Sequence, residues 1–122
     1  MAQSQNSNID LTIEAKHLQG LTSSGNIIIG DRAFEYYNQR NPNDFIQIPW
    51  KEIDLVTAEV IFKNKIPRFA IHTKKNGDFI FSSKDNKLTL RSINKYISDD
   101  KLRKSLGFLD FIKAKIKKQK LS

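Results

Sequence analysis

Pro67-Arg68-Phe69-Ala70-Ile71-His72-Thr73-Lys74-Lys75-Asn76-Gly77-Asp78-Phe79-Ile80-Phe81-Ser82 alternates apolar and polar residues on both sides of an Asn-Gly pair. Successive side chains of a strand point to opposite faces, so period two predicts two strands. Phe69 and Ile71 share one face, while Arg68, Ala70 and His72 share the other. Asn76 and Gly77 tolerate the positive φ of a type I′ turn, so the stretch predicts a hairpin.

The same period recurs upstream. Ile9 to Lys16 alternates, Ile27-Ile28-Ile29 is a β-branched run closed by Gly30-Asp31, and Phe34-Glu35-Tyr36-Tyr37 follows. Asn41-Pro42-Asn43-Asp44 is a turn, and Phe45 to Trp50 alternates with Ile46, Ile48 and Trp50 on one side. Val56 to Phe62 continues the pattern into a turn at Lys63-Asn64-Lys65. After Ser82 the period changes. Ser83 or Asp85 caps a helix whose apolar residues are Leu88, Leu90, Ile93, Tyr96 and Ile97. Ser98-Asp99-Asp100 reads as the cap of a second helix carrying Leu102 and Leu106. Phe108 to Lys120 reads as a third, basic and amphipathic, with Phe108, Leu109, Ile112 and Ile116 on one face. About seven strands followed by helices is an α+β arrangement, and closing such strands into a barrel removes exposed edges.

The chain has 122 residues, enough for one core, and no Cys, which excludes disulfides and thiolate metal sites. Polar residues 1–8 predict a disordered N-terminus without a signal-peptide pattern. No apolar run approaches the roughly 18 residues of a membrane span. A cytoplasmic location is expected, with peripheral contact to the inner face of the membrane as the alternative. The net charge of +8 is unevenly spread. Residues 1–100 carry 13 Lys/Arg against 12 Asp/Glu, whereas residues 101–122 carry eight Lys/Arg against Asp110 alone. The body of the domain is therefore not a broadly basic nucleic-acid binder.

Gly30-Asp31 to Tyr36-Tyr37, Ile48-Pro49-Trp50 with Ile53, and Pro67 to Gly77 together resemble bacterial pleckstrin-homology/GRAM-type domains in order and spacing. That resemblance implies an antiparallel pleckstrin-homology-like β-barrel plugged by a following helix. More closely, Asp10–Ile13, Gly20–Ser23, Ile46–Trp50 and Ile66–Ile71 resemble domain-of-unknown-function family 956 of Gram-positive bacteria. Its genes lie beside mannose-type phosphotransferase transporter genes, so the resemblance implies a regulatory or accessory role in sugar uptake. It brings no catalytic or binding residues with it. The expected layout is a disordered segment 1–8, a barrel with following helices over 9–106, and a basic amphipathic helix over 107–122.

Catalytic chemistry is not expected. His72 points off the barrel with Arg68 and reads as a surface histidine. Ser98-Asp99-Asp100-Lys101 matches Ser-x-x-Lys, yet a helix cap explains it more simply. Two distant histidines, His17 and His72, give no zinc spacing, and Asp99-Asp100 is too small a cluster for calcium. Gly20, Gly25 and Gly30 stand apart, and none opens a helix after a strand as phosphate loops require. No catalytic residue, cofactor or metal is assigned. Trp50 shares parity with Ile46 and Ile48 and reads as core, a partner anchor being the alternative.

The basic C-terminal stretch is the one sharp feature, and it nominates Phe108, Phe111, Lys113, Lys115, Lys117, Lys118 and Lys120 as partner-binding residues. Its apolar face either packs on the barrel, engages a protein partner, or lies on an anionic membrane. The protein partner would be a phosphotransferase component or a second copy of the chain. Nucleic acid is the least favoured partner, because no base-reading element is evident. The expected function is thus a non-enzymatic binding or regulatory module. A membrane-surface adaptor comes next, and a DNA-binding regulator last.

Overall fold

A computed structural model describes residues 3–106, with the side chain of Leu106 outside that description. The strands are β1 (Ile9–His17), β2 (Ser23–Gly30), β3 (Ala33–Asn38), β4 (Phe45–Pro49), β5 (Ile53–Ile61), β6 (Lys65–Thr73), β7 (Asp78–Ser83) and β8 (Leu102–Leu106). One helix, α1 (Asn86–Ile93), lies between β7 and β8. The strand order is β4-β3-β2-β1-β7-β6-β5-β8, a single eight-stranded sheet. Two antiparallel meanders, β1 to β4 and β5 to β7, meet where β1 pairs β7.

Two expectations are corrected. The pleckstrin-homology-like barrel of about seven strands is an open mixed sheet of eight. Its closure would need β4 against β5, but the free edge of β5 already carries β8 in parallel register, Val56 beside Leu102 and Val60 beside Leu106. Secondly, residues 102–106 are a strand rather than a helix, and α1 is the one helix among the described residues. Asp99–Lys101 makes only a 3-10 turn, after which the backbone gains a ladder along β5 that an isolated short helix could not replace. Arg103 and Lys104 are charges suited to an exposed edge. Residues 4–8 make hydrogen bonds to β3 and to the turn before it.

The core follows from the alternation. Ala15, Ile27, Ile29, Phe34, Tyr36, Ile48, Val56, Phe69, Ile71 and Phe81 turn inward and are buried with Ile93 and Ile97 from α1 and the turn after it. Phe34, Tyr36, Phe69 and Phe81 form an aromatic cluster with centroids 5.2–6.4 Å apart. Such contacts add about 0.5–1.5 kcal/mol per pair beyond area burial. Gly25 cannot be replaced in this packing, since a Cβ there would lie 2.0 Å from the Tyr37 carbonyl oxygen. Asp85 caps α1 by accepting from the Leu88 amide at 3.1 Å. Buried Asn86 accepts from the Ser83 amide at 2.7 Å and donates to the Ile66 carbonyl at 2.7 Å, which ties the helix to β6 and β7.

The turn chemistry is redistributed between hairpins. At the Asn-Gly pair only Gly77 has positive φ, 80°, and Thr73 closes a four-residue loop by bonding Gly77 O and the Asn76 amide. Two consecutive left-handed residues instead sit between β5 and β6, at Lys63 (φ 62°) and Asn64 (φ 59°).

Glu35 is fully buried on the opposite face of β3, where an apolar residue would be expected only on the core side. The N-terminal segment explains it. Glu35 accepts from Ser4 Oγ at 2.5 Å, the Gln5 amide at 2.8 Å, Asn6 Nδ2 at 3.0 Å and the Tyr37 hydroxyl at 3.0 Å. Asn6 Oδ1 also accepts the Arg32 and Ala33 amides, each at 2.8 Å. The Asn8 and Ser7 amides hold the Asp31 carboxyl below its ordinary value. Burial holds the Tyr37 hydroxyl above its own.

A second clasp joins the start of β1 to the turn after α1. Trp50 stacks on Tyr96 with centroids 5.1 Å apart and donates Nε1–H to Gly30 O at 2.9 Å, so its core reading holds. The Tyr96 hydroxyl donates to Asp10, which lowers the Asp10 carboxyl and pushes the phenol up to about 12.

Glu35→Gln places an amide N–H among donors that need an acceptor. We expect a loss of about 1–3 kcal/mol in chemical denaturation and faster exchange of the Gln5 amide. An unchanged midpoint would show that the segment is not held by the carboxylate. The Tyr96–Asp10 bond predicts two pH limits. Its contribution is complete below pH 10, where free tyrosine is protonated, and is lost as the pH rises through about 12. It is also present above the ordinary Asp value of 3.8 and lost as the pH falls through the lowered one. In ultraviolet titration one of the three tyrosines should ionise last, near pH 12. Tyr96→Phe should remove that step and return Asp10 toward 3.8 in carbon NMR.

Candidate interaction surface

The partner-binding residues nominated by the sequence, Phe108, Phe111, Lys113, Lys115, Lys117, Lys118 and Lys120, lie outside the described residues. The point from which the chain reaches them is defined, because Leu106 pairs with Val60. That places the exit beside the β5–β6 hairpin, on the same end of the sheet as the β7–α1 turn.

This end collects cations. A cleft of about 470 Å³ runs between α1 and the β5–β8 edge. Val60, Ile66, Leu90 and Leu102 contribute its apolar part, and Lys87, Arg91 and Lys104 stand around them. Among the described residues its lining contains no carboxylate. The arrangement comes from two periods meeting. On α1, residues 87, 90, 91 and 94 recur at helical spacing along the side that overhangs the sheet. On β8, Leu102 and Lys104 share parity and face the same way. An adjoining hollow of about 390 Å³ shares Ile66 and Lys87 and adds Ile61, Lys65, Lys84 and Asp85. Asp85 is engaged as the helix cap, so its charge is partly spent inside the fold.

The hairpin itself ends in Phe62, which is 80% exposed. Lys63 Nζ lies 5.7 Å from its ring centroid, within cation–π range. Holding Lys63 in the left-handed region costs about 1–2 kcal/mol, so the turn displays these side chains against a local preference. Phe62, Lys63, Lys65, Lys87 and Arg91 were not singled out by the sequence pattern. Phe62 reads there as the last apolar residue of a strand, and only its position past the ladder exposes it.

A third constellation crosses β5, β6 and β7 on the face away from the core. The Thr57 hydroxyl lies 2.8 Å from His72 Nε2, and His72 Nδ1 lies 2.8 Å from Asp78 Oδ1. Hydroxyl, imidazole and carboxylate stand in the order used for nucleophilic catalysis. His72 does point off the sheet with Arg68, although its side chain is only 28% exposed. Cross-strand pairing brings the three together: Thr57 is opposite Ala70, and His72 is opposite both Leu55 and Asp78. Thr57 and His72 are paired on both sides and Asp78 pairs with His72, so the amides here are taken up by the ladders and are not free to stabilise an oxyanion. The chain of bonds therefore suits a cross-strand polar tie better than acyl transfer.

His17, by contrast, faces inward among Tyr36, Phe79 and Phe81 and bonds Gln19 at 3.0 Å. No cluster of three or more metal-ligating side chains occurs among the described residues. No described helix is long and apolar enough to cross a membrane.

Comparison with known proteins places the fold and the family. The crystal structure of the C-terminal domain of an unknown protein from Leishmania infantum matches with a TM-score of 0.65 over 73% of this chain and 83% of that one. At 10% identity the likeness is one of fold alone. No curated protein matches the sequence. A family model described as Domain of unknown function (DUF956) matches residues 1–116, nearly the whole chain, and the protein belongs to that family.

Proposed function

We propose that this chain is a non-enzymatic binding module, accessory to a mannose-type sugar phosphotransferase system, that docks an acidic segment of a protein partner in the cleft between α1 and the β5–β8 edge. The cleft carries the reading. Apolar Val60, Ile66, Leu90 and Leu102 lie beneath Lys87, Arg91 and Lys104 with no carboxylate among the described lining residues. An apolar floor supplies contact area, and a rim of one sign selects and steers a partner of the other. The sequence after Leu106 carries the same sign of charge. The choice of transport system is supported by the resemblance, since the family's genes lie beside those of mannose-type transporters. The absence of an enzymatic role is supported by the ladder-bound amides around Thr57, His72 and Asp78.

Purified full-length chain titrated with the purified cytoplasmic subunits of the cognate transporter, phosphorylated and unphosphorylated, should give saturable binding that weakens with salt. Arg91→Glu with Lys104→Glu should weaken it at least about tenfold while leaving the melting temperature unchanged. No binding in either phosphorylation state would sink the reading. Binding that ignores both substitutions would move the site away from the cleft.

A further inference from the structure

We infer that the β5–β6 hairpin is a membrane-contacting apex, with Phe62 entering an anionic lipid surface while Lys63, Lys65 and Lys84 meet its phosphates. The inference does not depend on the partner reading, because the apex and the cleft expose different side chains. Phe62 is 80% exposed, and it sits at a hairpin tip rather than in a hollow. The turn is built to present it: Lys63 and Asn64, neither of them glycine, both adopt positive φ. A buried role for Phe62 would need no such display.

The cations gather around the aromatic ring, with Lys63 Nζ 5.7 Å from its centroid. Lys63 shares the turn, and Lys65 opens the returning strand. Lys65 and Lys84 line the hollow beside the turn, and Asp85 is the one carboxylate among its described lining residues. A single apolar apex on a cationic base matches a flat anionic interface, where the ring reaches the acyl boundary and the ammonium groups stay among headgroups. A protein pocket deep enough for Phe62 would have to accommodate this whole charged base as well.

Flotation of the full-length chain with phosphatidylcholine vesicles, with and without phosphatidylglycerol, tests this in the absence of any transporter protein. Binding should require phosphatidylglycerol and fall with salt. Phe62→Ser should weaken it about tenfold or more. Neutralising Lys63 and Lys65 to Gln should weaken it about fivefold for each residue. Phe62→Trp supplies a second readout in a chain whose other tryptophan, Trp50, is tied to Gly30 and Tyr96. Its emission should shift to the blue on anionic vesicles. No binding to anionic vesicles overturns the inference, as does equal binding by wild type and Phe62→Ser. If Phe62→Ser leaves vesicle binding intact but abolishes capture of a transporter subunit, the apex belongs in a protein pocket. Failure of the partner reading would instead appear as no subunit binding alongside intact, Phe62-dependent flotation.

Discussion

Three residue pairs hold the two halves of this sheet together: Ala15 with Ser83, Lys16 with Ser82, and His17 with Phe81. Everything on the core side depends on that short junction. It brings Phe81 between the aromatic rings of β3 and β6, so Phe34 and Tyr36 from one meander meet Phe81, and Phe34 also meets Phe69 from the other. Burial of these rings supplies the energy that a three-pair ladder alone would not. α1 and the turn after it then lie over the same region and add Ile93 and Ile97. The N-terminal end of the helix is tied in by Asp85 and Asn86.

The edges of the sheet are managed differently. β4 is short and ends in Pro49, which has no amide to offer a further strand. At the other end β5 is covered by β8, whose exposed Arg103 and Lys104 discourage pairing with another chain. The cationic character of the β8 side is thus partly a device against aggregation. Of these two charges Lys104 lies beside α1, and with Lys87 and Arg91 it creates a surface of one sign. Lys104 therefore belongs both to the protected edge of the sheet and to the cationic rim of the cleft.

The face away from the core is unusually polar and well satisfied. Glu35 receives four donors, and Thr57, His72 and Asp78 link three strands. No buried side-chain nitrogen or oxygen lacks a partner among the described residues. Such networks hold register where apolar packing cannot, because a one-residue slip would strand each charge.

Strand existence and facing were legible in the chain itself. The alternation of Phe69, Ile71, Ile46 and Ile48 placed the core correctly because the pleat has a period of two whatever the neighbours are. The Asn-Gly pair located a hairpin but not its turn type, since Thr73 offered a competing set of bonds. The spacing of Leu88, Leu90 and Ile93 announced a helix, which stops at Ile93 short of Tyr96 and Ile97, and of the two candidate caps, Ser83 and Asp85, it is Asp85 that caps it. The body's near-neutrality and the basic end were read directly from charge. What the tertiary structure alone decided was every feature set by long-range pairing. Leu102-Arg103-Lys104-Ser105-Leu106 has too little local preference to choose helix or strand, and the vacant edge of β5 chose for it. The same pairing left the sheet open, set Lys104 opposite Arg91 across a cleft, and carried the chain's exit to Phe62. Glu35 looked like an ordinary outward residue until the N-terminal segment, more than two dozen positions away, supplied the donors that allow a carboxylate to be buried.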